Sequence, residues 1–257
     1  MDNQVLETLM SHASVREYQD RNVEEEVLDK VLRAACNGST MGNMQLFSII
    51  VTRDSEMKAK LAPFHFNQPM VTSAPLILTF CADFRRFNRF CQCRAADTEA
   101  YSNLQSYQWA VTDALIAAQN ACIAAESLGL GLCWLGTITY NVDKFVEILN
   151  LPKHVVPVAC ITMGYPTKKH TLTQKLPYKS LIHYETYKDY TDLDIDQIYK
   201  EKENSEETKH ILSENPDVEN LAQVFTQHRY TRKDNEHFAK VLYQTLENQG
   251  FNINIQE

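Results

Sequence analysis

Apolar and polar positions alternate along this chain in blocks that change period. Residues 3–11 place Val5, Leu6, Leu9 and Met10 at the spacing of a short helix with one apolar face. The stretch 22–36, NVEEEVLDKVLRAAC, predicts a clearer helix. Asn22 can cap it, Glu24 to Glu26 suit the positive end of its dipole, and Val27, Leu28, Val31, Leu32 and Ala35 form its apolar stripe. NGST (37–40) breaks that helix. LFSIIVT (46–52) predicts a strand, SEMKAKLAPF a helix stopped by Pro63, and APLILTFCAD a second strand without alternation, hence buried on both faces. The run from about 106 to 128 is apolar nearly all round and rich in Ala, the pattern of a helix at the centre of a core or in a subunit interface. LCWLGTI (132–138) predicts a strand, VDKFVEILNL (142–151) an amphipathic helix, and VVPVACITMGYP (155–166) a further strand. After residue 190 the chain turns acidic and poor in apolar residues, which reads as a linker or loosely packed excursion. From 218 helical spacing returns around the basic HRYTRK (228–233). Leading helices and strands spaced by helices, without internal repeats, predict an α+β fold: a sheet covered by helices.

Composition narrows the function classes. The 257 residues are 44% hydrophobic, enough for one substantial core with an appendage. A formal net charge of -8 argues against general nucleic-acid binding, so any anion must be met by a local cluster of donors. The N-terminal MDNQVLETLM lacks the features of a signal peptide, and the longest apolar run, 74–82, falls short of the roughly 20 residues of a membrane span. With seven cysteines, an odd number, and no secretion signal, reduced thiols and a cytoplasmic location are expected. CQC (91–93) is the one close cysteine pair, and nothing nearby supplies a second pair at zinc-like spacing, so no metal is expected there.

The stretch SHASVREY (11–18) carries chemistry. His12, Ser14 and Arg16 fall at alternate positions, so an extended backbone points an imidazole, a hydroxyl and a guanidinium to one side. All three donate hydrogen bonds, which makes an edge suited to an anion; the plainer reading is a solvated turn.

HASVREY, the loop GSTMGNMQ and the run AQNACIAAESLGLGLCWLG together resemble the nitroreductase family of FMN-dependent oxidoreductases. Among its members the chain is most similar to the subgroup of oxygen-insensitive nitroreductases and NADPH–flavin oxidoreductases. The likeness runs through LTFCADFRR and MGYPTKKHTLTQKLP to about residue 190 and returns in RKDNEHFAKVLYQTLENQGF. It implies a central, mainly antiparallel sheet flanked by helices, a homodimer, and a C-terminal helical excursion. In domain terms, 1–190 would form the FMN-binding core and 191–257 an acidic linker and helical extension packing on the core or the partner subunit. It also implies that His12, Ser14 and Arg16 hold the FMN phosphate, joined by Lys175. The subgroup has Lys-Pro-Arg before a Leu-Pro where this chain has TQKLP, so Thr173 replaces one cation and Lys175 keeps the other charge without the guanidinium fork. By the same likeness Gln68 meets the pyrimidine edge of the flavin, Ser39, Thr40 and Met41 lie along the ring and ribityl chain, and Leu135 and Gly136 approach with backbone atoms. Met41 and Gly42 depart from a serine run common in the subgroup. Arg229, Arg232 and Lys233 would meet the extra phosphate of NADPH, with Gln227 where the subgroup carries an earlier arginine. The implied activity passes a hydride from NADPH or NADH through FMN to nitroaromatics, quinones or flavins by ping-pong kinetics, without a dedicated catalytic acid or base. A flavin-binding carrier or sensor with little turnover is the alternative.

Overall fold

The computed structural model describes residues 3–98, 101–168 and 172–253. Its chain order opens with two helices, α1 (Gln4–Met10) and α2 (Glu25–Cys36), followed by strand β1 (Phe47–Thr52). Helices α3 (Ser55–Leu61) and α4 (Pro69–Ser73) lead to β2 (Leu76–Asp83). Then come α5 (Arg85–Gln92), the long α6 (Leu104–Ser127), β3 (Gly131–Trp134), α7 (Val142–Ile148) and β4 (Val155–Gly164). Four more helices follow: α8 (Asp192–Glu203), α9 (Glu206–Glu214), α10 (Leu221–Gln223) and α11 (Arg232–Asn248). The backbone forms two compact units, Met1–Thr171 with Phe238–Glu257, and Leu172–His237.

In the first unit the four strands form one sheet in the order β1-β2-β4-β3, antiparallel throughout. The expected α+β architecture with an antiparallel sheet is therefore present. Both central strands, β2 and β4, are buried at every position, as their unbroken apolar sequence requires. Pro157 sits inside a central strand, where a missing N–H would normally break the ladder. The register with β2 shifts between Phe80 and Cys81, and the bulge accommodates the proline.

α6 lies across this sheet and against α2. It buries a stripe of small residues, Ala110, Ala114, Ala117, Ala118, Ala121 and Ala125, which lets backbones approach closely. Part of its remaining apolar surface stays open, with Leu104 at 53% and Leu115 at 38% exposure, while Cys122 is buried. α1 buries nothing: Val5, Leu6, Leu9 and Met10 all face outward. The chain closes from its far end. Phe251 is fully buried, Gln249 Nε2 donates to the Pro152 and Val155 carbonyls at 2.9 and 2.7 Å, and the Asn252 N–H donates to Ser102 O at 2.6 Å.

Several expected boundaries move. Glu24, not Asn22, occupies the cap position of α2, and its carboxylate bonds Arg21 and the Tyr165 hydroxyl instead of the helix backbone. These two partners hold the Glu24 carboxyl down at about 2. β3 ends at Trp134, because residues 136–139 close into a 3-10 turn. α3 stops at Leu61, and Pro63 lies inside a following 3-10 turn. The acidic stretch after 190, expected as a linker, is helical. Thr191 and Asp194 form a reciprocal capping box at the start of α8, with Lys200 and Lys202 in its last turn, and Ser205 caps α9. Local capping and charge order supply what sparse apolar residues did not signal. Among the described residues no helix is long and apolar enough to cross a membrane.

Gly131 opens β3 because a side chain has no room there: a Cβ would stand 2.5 Å from Val15 Cγ2 and 2.7 Å from Val15 Cβ. Replacing Gly131 by Ala is expected to destabilise the protein by about 1–3 kcal/mol, the usual cost of overpacking. A fall in the midpoint of thermal denaturation measures it.

Candidate functional site

The segment 12–18 runs beside β3. Ser14 pairs with Leu132 in a parallel bridge, and the Val15 N–H donates to the Leu132 carbonyl at 2.7 Å. The Tyr18 hydroxyl donates to Val15 O at 2.7 Å and meets the Thr162 hydroxyl at 2.8 Å, pinning the end of the segment to β4. Burial pushes the Tyr18 phenol well above its ordinary value, so it stays a neutral donor. Between these anchors Val15 is buried while Arg16 is exposed. Arg16 lies near the Cys133 thiol and has no carboxylate partner among the described residues. Burial raises the Cys133 thiol, and the neighbouring guanidinium acts in the opposite sense. His12 is held from the other side: its Nδ1 stands 2.6 Å from Glu126 Oε1, near the end of α6. A carboxylate only accepts, so Nδ1 carries the proton and Nε2 is the ring nitrogen left for another partner. The alternation expected from sequence thus becomes a braced edge with an uncompensated cation.

Next to this edge, Leu135 is buried and its N–H donates to Cys160 O at 2.8 Å. Gly136 follows in the open: a Cβ built there meets nothing within 4 Å, and its φ is not in the left-handed range. Packing and backbone geometry in this chain therefore do not require glycine at 136.

His65 joins Thr137, the residue after Gly136, to Gln68. It is fully buried against Phe145, with ring centroids 4.7 Å apart. Its Nδ1 lies 2.6 Å from the Thr137 hydroxyl, and its carbonyl accepts from the Gln68 side-chain amide at 3.0 Å. Gln68 itself is half-buried at the head of α4. The turn that delivers it is strained, with Phe66 at φ 55° and Asn67 at φ 51°.

Ser39, Thr40 and Met41 occupy a second place. Ser39 and Met41 are exposed and Thr40 is half-buried. The following residues Gly42, Asn43 and Gln45 take φ values of 53°, 57° and 55°. One buried carboxylate, Asp113 of α6, accepts the N–H of Met41 at 2.8 Å and that of Leu46 at 2.9 Å, bracketing the strained loop at both ends. Asp113 lies thirteen residues before Glu126 on the same helix, a separation of about 20 Å at 1.5 Å per residue. The loop 39–41 and the His12 edge therefore sit far apart along α6.

The remaining expected residues belong to the second unit. Lys175 is exposed without a carboxylate partner among the described residues, and Thr173 nearby is exposed; residues 169–171 of the same segment lie outside the described residues. Arg229 ends a π-helical turn, Val224–Arg229. Arg232 opens α11 and pairs with Glu236 at 2.6 Å, while Lys233 is exposed. Sequence reasoning missed Asp113, Glu126 and His65. The signal for the first two was present: they are the only charged side chains in α6. Cys91 is buried and Cys93 exposed, and no metal-ligand cluster occurs among the described residues.

An antiparallel sheet crossed by one long helix, with a donor-bearing edge beside an open glycine turn, defines an α+β class of fold. Residues 9–165 match the model of the nitroreductase family, and the chain belongs to that family. It is 31% identical over 252 residues to an FMN reductase [NAD(P)H] of Bacillus subtilis, spanning 98% of this chain and 99% of that protein. It is 34% identical over 191 residues to an FMN reductase (NADPH) of the same organism, spanning 74% of this chain and 77% of that one. A solved structure from Bacteroides fragilis is 45% identical and superposes with a TM-score of 0.93, over 96% of this chain and 100% of that one.

Two outcomes follow from this geometry. Asp113→Ala leaves two backbone N–H groups without their acceptor and releases the strained loop; a loss of about 3 kcal/mol in denaturant unfolding is expected. Burial lowers the His65 imidazole to about 4, so the unfolded chain takes up this proton first as pH falls from the ordinary value of 6.5. Stability is therefore full above pH 6.5 and declines toward pH 4, by at most about 3 kcal/mol from this group. His65→Gln should flatten that window in a pH series of melting curves.

Proposed function

We propose that the His12, Ser14 and Arg16 edge holds the phosphate of FMN, that Gln68, Leu135 and Gly136 receive the flavin ring, and that the protein transfers reducing equivalents from NAD(P)H to flat acceptors such as nitroaromatics, quinones or free flavins. The chain is an FMN-dependent NAD(P)H oxidoreductase. The observation that carries the site assignment is the pairing of an unmatched guanidinium at Arg16 with an open, ligand-ready backbone at Gly136.

The residues fit the cofactor in chemistry. Arg16 offers a planar fork to phosphate oxygens, Ser14 a hydroxyl, and His12 a ring nitrogen oriented by Glu126. In the second unit, Lys175, Arg229, Arg232 and Lys233 are cations suited to phosphate groups, the last three to the additional phosphate of NADPH. Arg232 must exchange Glu236 for that partner. Bound by these residues, FMN would supply the redox chemistry between NAD(P)H and a second acceptor, and one shared place for the two would make the kinetics ping-pong. The protein contributes position and electrostatics: the His65 and Thr137 contact fixes the turn under the ring, and Gln68 is oriented from the His65 carbonyl. No side chain is assigned as a proton donor.

A homodimer completes the site. The outward apolar face of α1 and the open side of α6 need cover, and a two-fold pair buries both. The separation between the His12 edge and the 39–41 loop along α6 fits a flavin that touches the edge of one subunit and the loop of its partner. Seven free thiols fit a reducing cytoplasm.

The decisive experiment is an absorbance spectrum of the FMN-loaded protein before and after anaerobic NADPH and then NADH. Bleaching that reverses on adding a quinone supports the oxidoreductase; flavin bands that stay unchanged support a carrier instead. Arg16→Ala is expected to weaken FMN binding about 10- to 100-fold, the loss of a charge-assisted contact. Gly136→Val should keep its melting temperature in the apo form and lose flavin affinity.

A further inference from the structure

The contact between His12 and Glu126 fixes where protons can sit along the edge. His12 Nδ1 stands 2.6 Å from Glu126 Oε1, which joins the edge to the last turn of α6. The Glu126 carboxylate is enclosed, at 15% exposure, while the His12 side chain is 41% exposed. The ring is therefore tethered by one nitrogen and open at the other. A carboxylate only accepts, so the Nδ1 proton is committed to Glu126, and in the neutral ring Nε2 is a bare acceptor.

That nitrogen meets a phosphate monoester poorly. The second pKa of such a group is about 6, so at pH 8 it is a dianion with acceptors alone. Ser14 and Arg16 bring donors of their own, but Nε2 sets a lone pair against the phosphate oxygens. Moving the ring proton to Nε2 only transfers the clash to Glu126. An imidazole held between two anions needs two protons, one for each. The added proton makes the ring an imidazolium, which the neighbouring carboxylate favours. Wherever it rests along the line from Glu126 through His12 to the phosphate, the count is one.

The other titratable groups around the ring do not supply this proton. Burial pushes the Cys122 thiol of α6 up to about 12, with the Glu126 charge adding to the effect. Burial also raises the Cys133 thiol of β3. Arg16 keeps its proton throughout. Glu7 is the one titratable side chain of α1, which packs on α6, and no ion pair joins it to His12 among the described residues.

We propose that Glu126 is a positioning residue that makes the His12 edge bind a phosphate monoester together with one proton, so that FMN association takes up a proton above neutral pH. The inference rests on the reading that this edge holds the FMN phosphate. Below the second pKa of the phosphate, free FMN already carries the proton and the uptake fades. Above it, FMN affinity falls as pH rises, by about 10-fold per pH unit for one linked proton.

Calorimetric titration of the full chain, freed of FMN, with FMN at pH 8 in two buffers of different ionisation heat counts the protons. Uptake close to one per FMN is expected, and none with riboflavin, which has the ring without the phosphate. Glu126→Gln keeps a partner for Nδ1, but its amide can also donate, which releases the ring proton to Nε2. This variant should bind FMN with uptake near zero and with an affinity that stays level from about pH 7 to 8.5. His12→Asn, at an exposed position, should also lose the uptake. A Glu126 that merely braced the segment would change affinity in Glu126→Gln and leave the proton count as it was. FMN binding without proton uptake overturns the proposal. So does uptake that persists in Glu126→Gln or His12→Asn, or that riboflavin shares. Failure of the unaltered chain to bind FMN is a different result, and overturns the assignment of the edge to the FMN phosphate.

Discussion

Two carboxylates on one helix govern the geometry of this protein. α6 is a 24-residue element that carries only two charges, and each holds a functional segment in place. Asp113 takes two backbone N–H groups from the loop after α2, and Glu126 takes the His12 ring. Because the alanine stripe of the same helix packs against α2 and the sheet, the carboxylates are fixed to the core itself. A shift of α6 by even one turn would carry both segments with it. The spacing between the two arms is thus set by helix rise, the least deformable length in the molecule.

Much of the fold was legible because burial left periodic marks. The unbroken apolar runs of β2 and β4 announced central strands, and the alanine-rich run announced α6. The alternation of His12, Ser14 and Arg16 announced the edge. Other features left no such mark. α8 and α9 bury almost nothing, so their stability rests on capping and charge order, which composition alone reads as a linker. The cap of α2 moved to Glu24 because a distant tyrosine claims its side chain, a tertiary effect invisible locally. Nothing in the sequence singled out His65, whose contact with Thr137 joins positions 72 residues apart. The resemblance to a family named positions such as Gly136, and the structure adds why glycine is not needed there by the chain itself.

Strain is distributed in the same pattern. Four of the eight non-glycine residues with left-handed backbone among the described residues lie in the loop 43–45 and the pair 66–67, beside Met41 and Gln68. Each is held by groups that a mobile loop would lack: a buried carboxylate in one case, and in the other the backbone of a 3-10 turn over a buried imidazole. Such positions persist only where the surroundings over-determine them. Rigid, pre-shaped loops suit a reductase whose protein part contributes position more than proton transfer.

The closure of the first unit by Phe251, Gln249 and Asn252 bears on how the chain is made. Strands β2 and β4 and the helix across them are synthesised early, yet the ring that seals the core near Tyr107 comes after the entire second unit. Folding during translation, which favours N-terminal domains, can finish Leu172–His237 before the C-terminal segment arrives to close the core of the first unit. The incomplete core must wait on the ribosome with an open apolar end. Its exposure to chaperones is therefore set by the time needed to translate a segment that contributes nothing to that core.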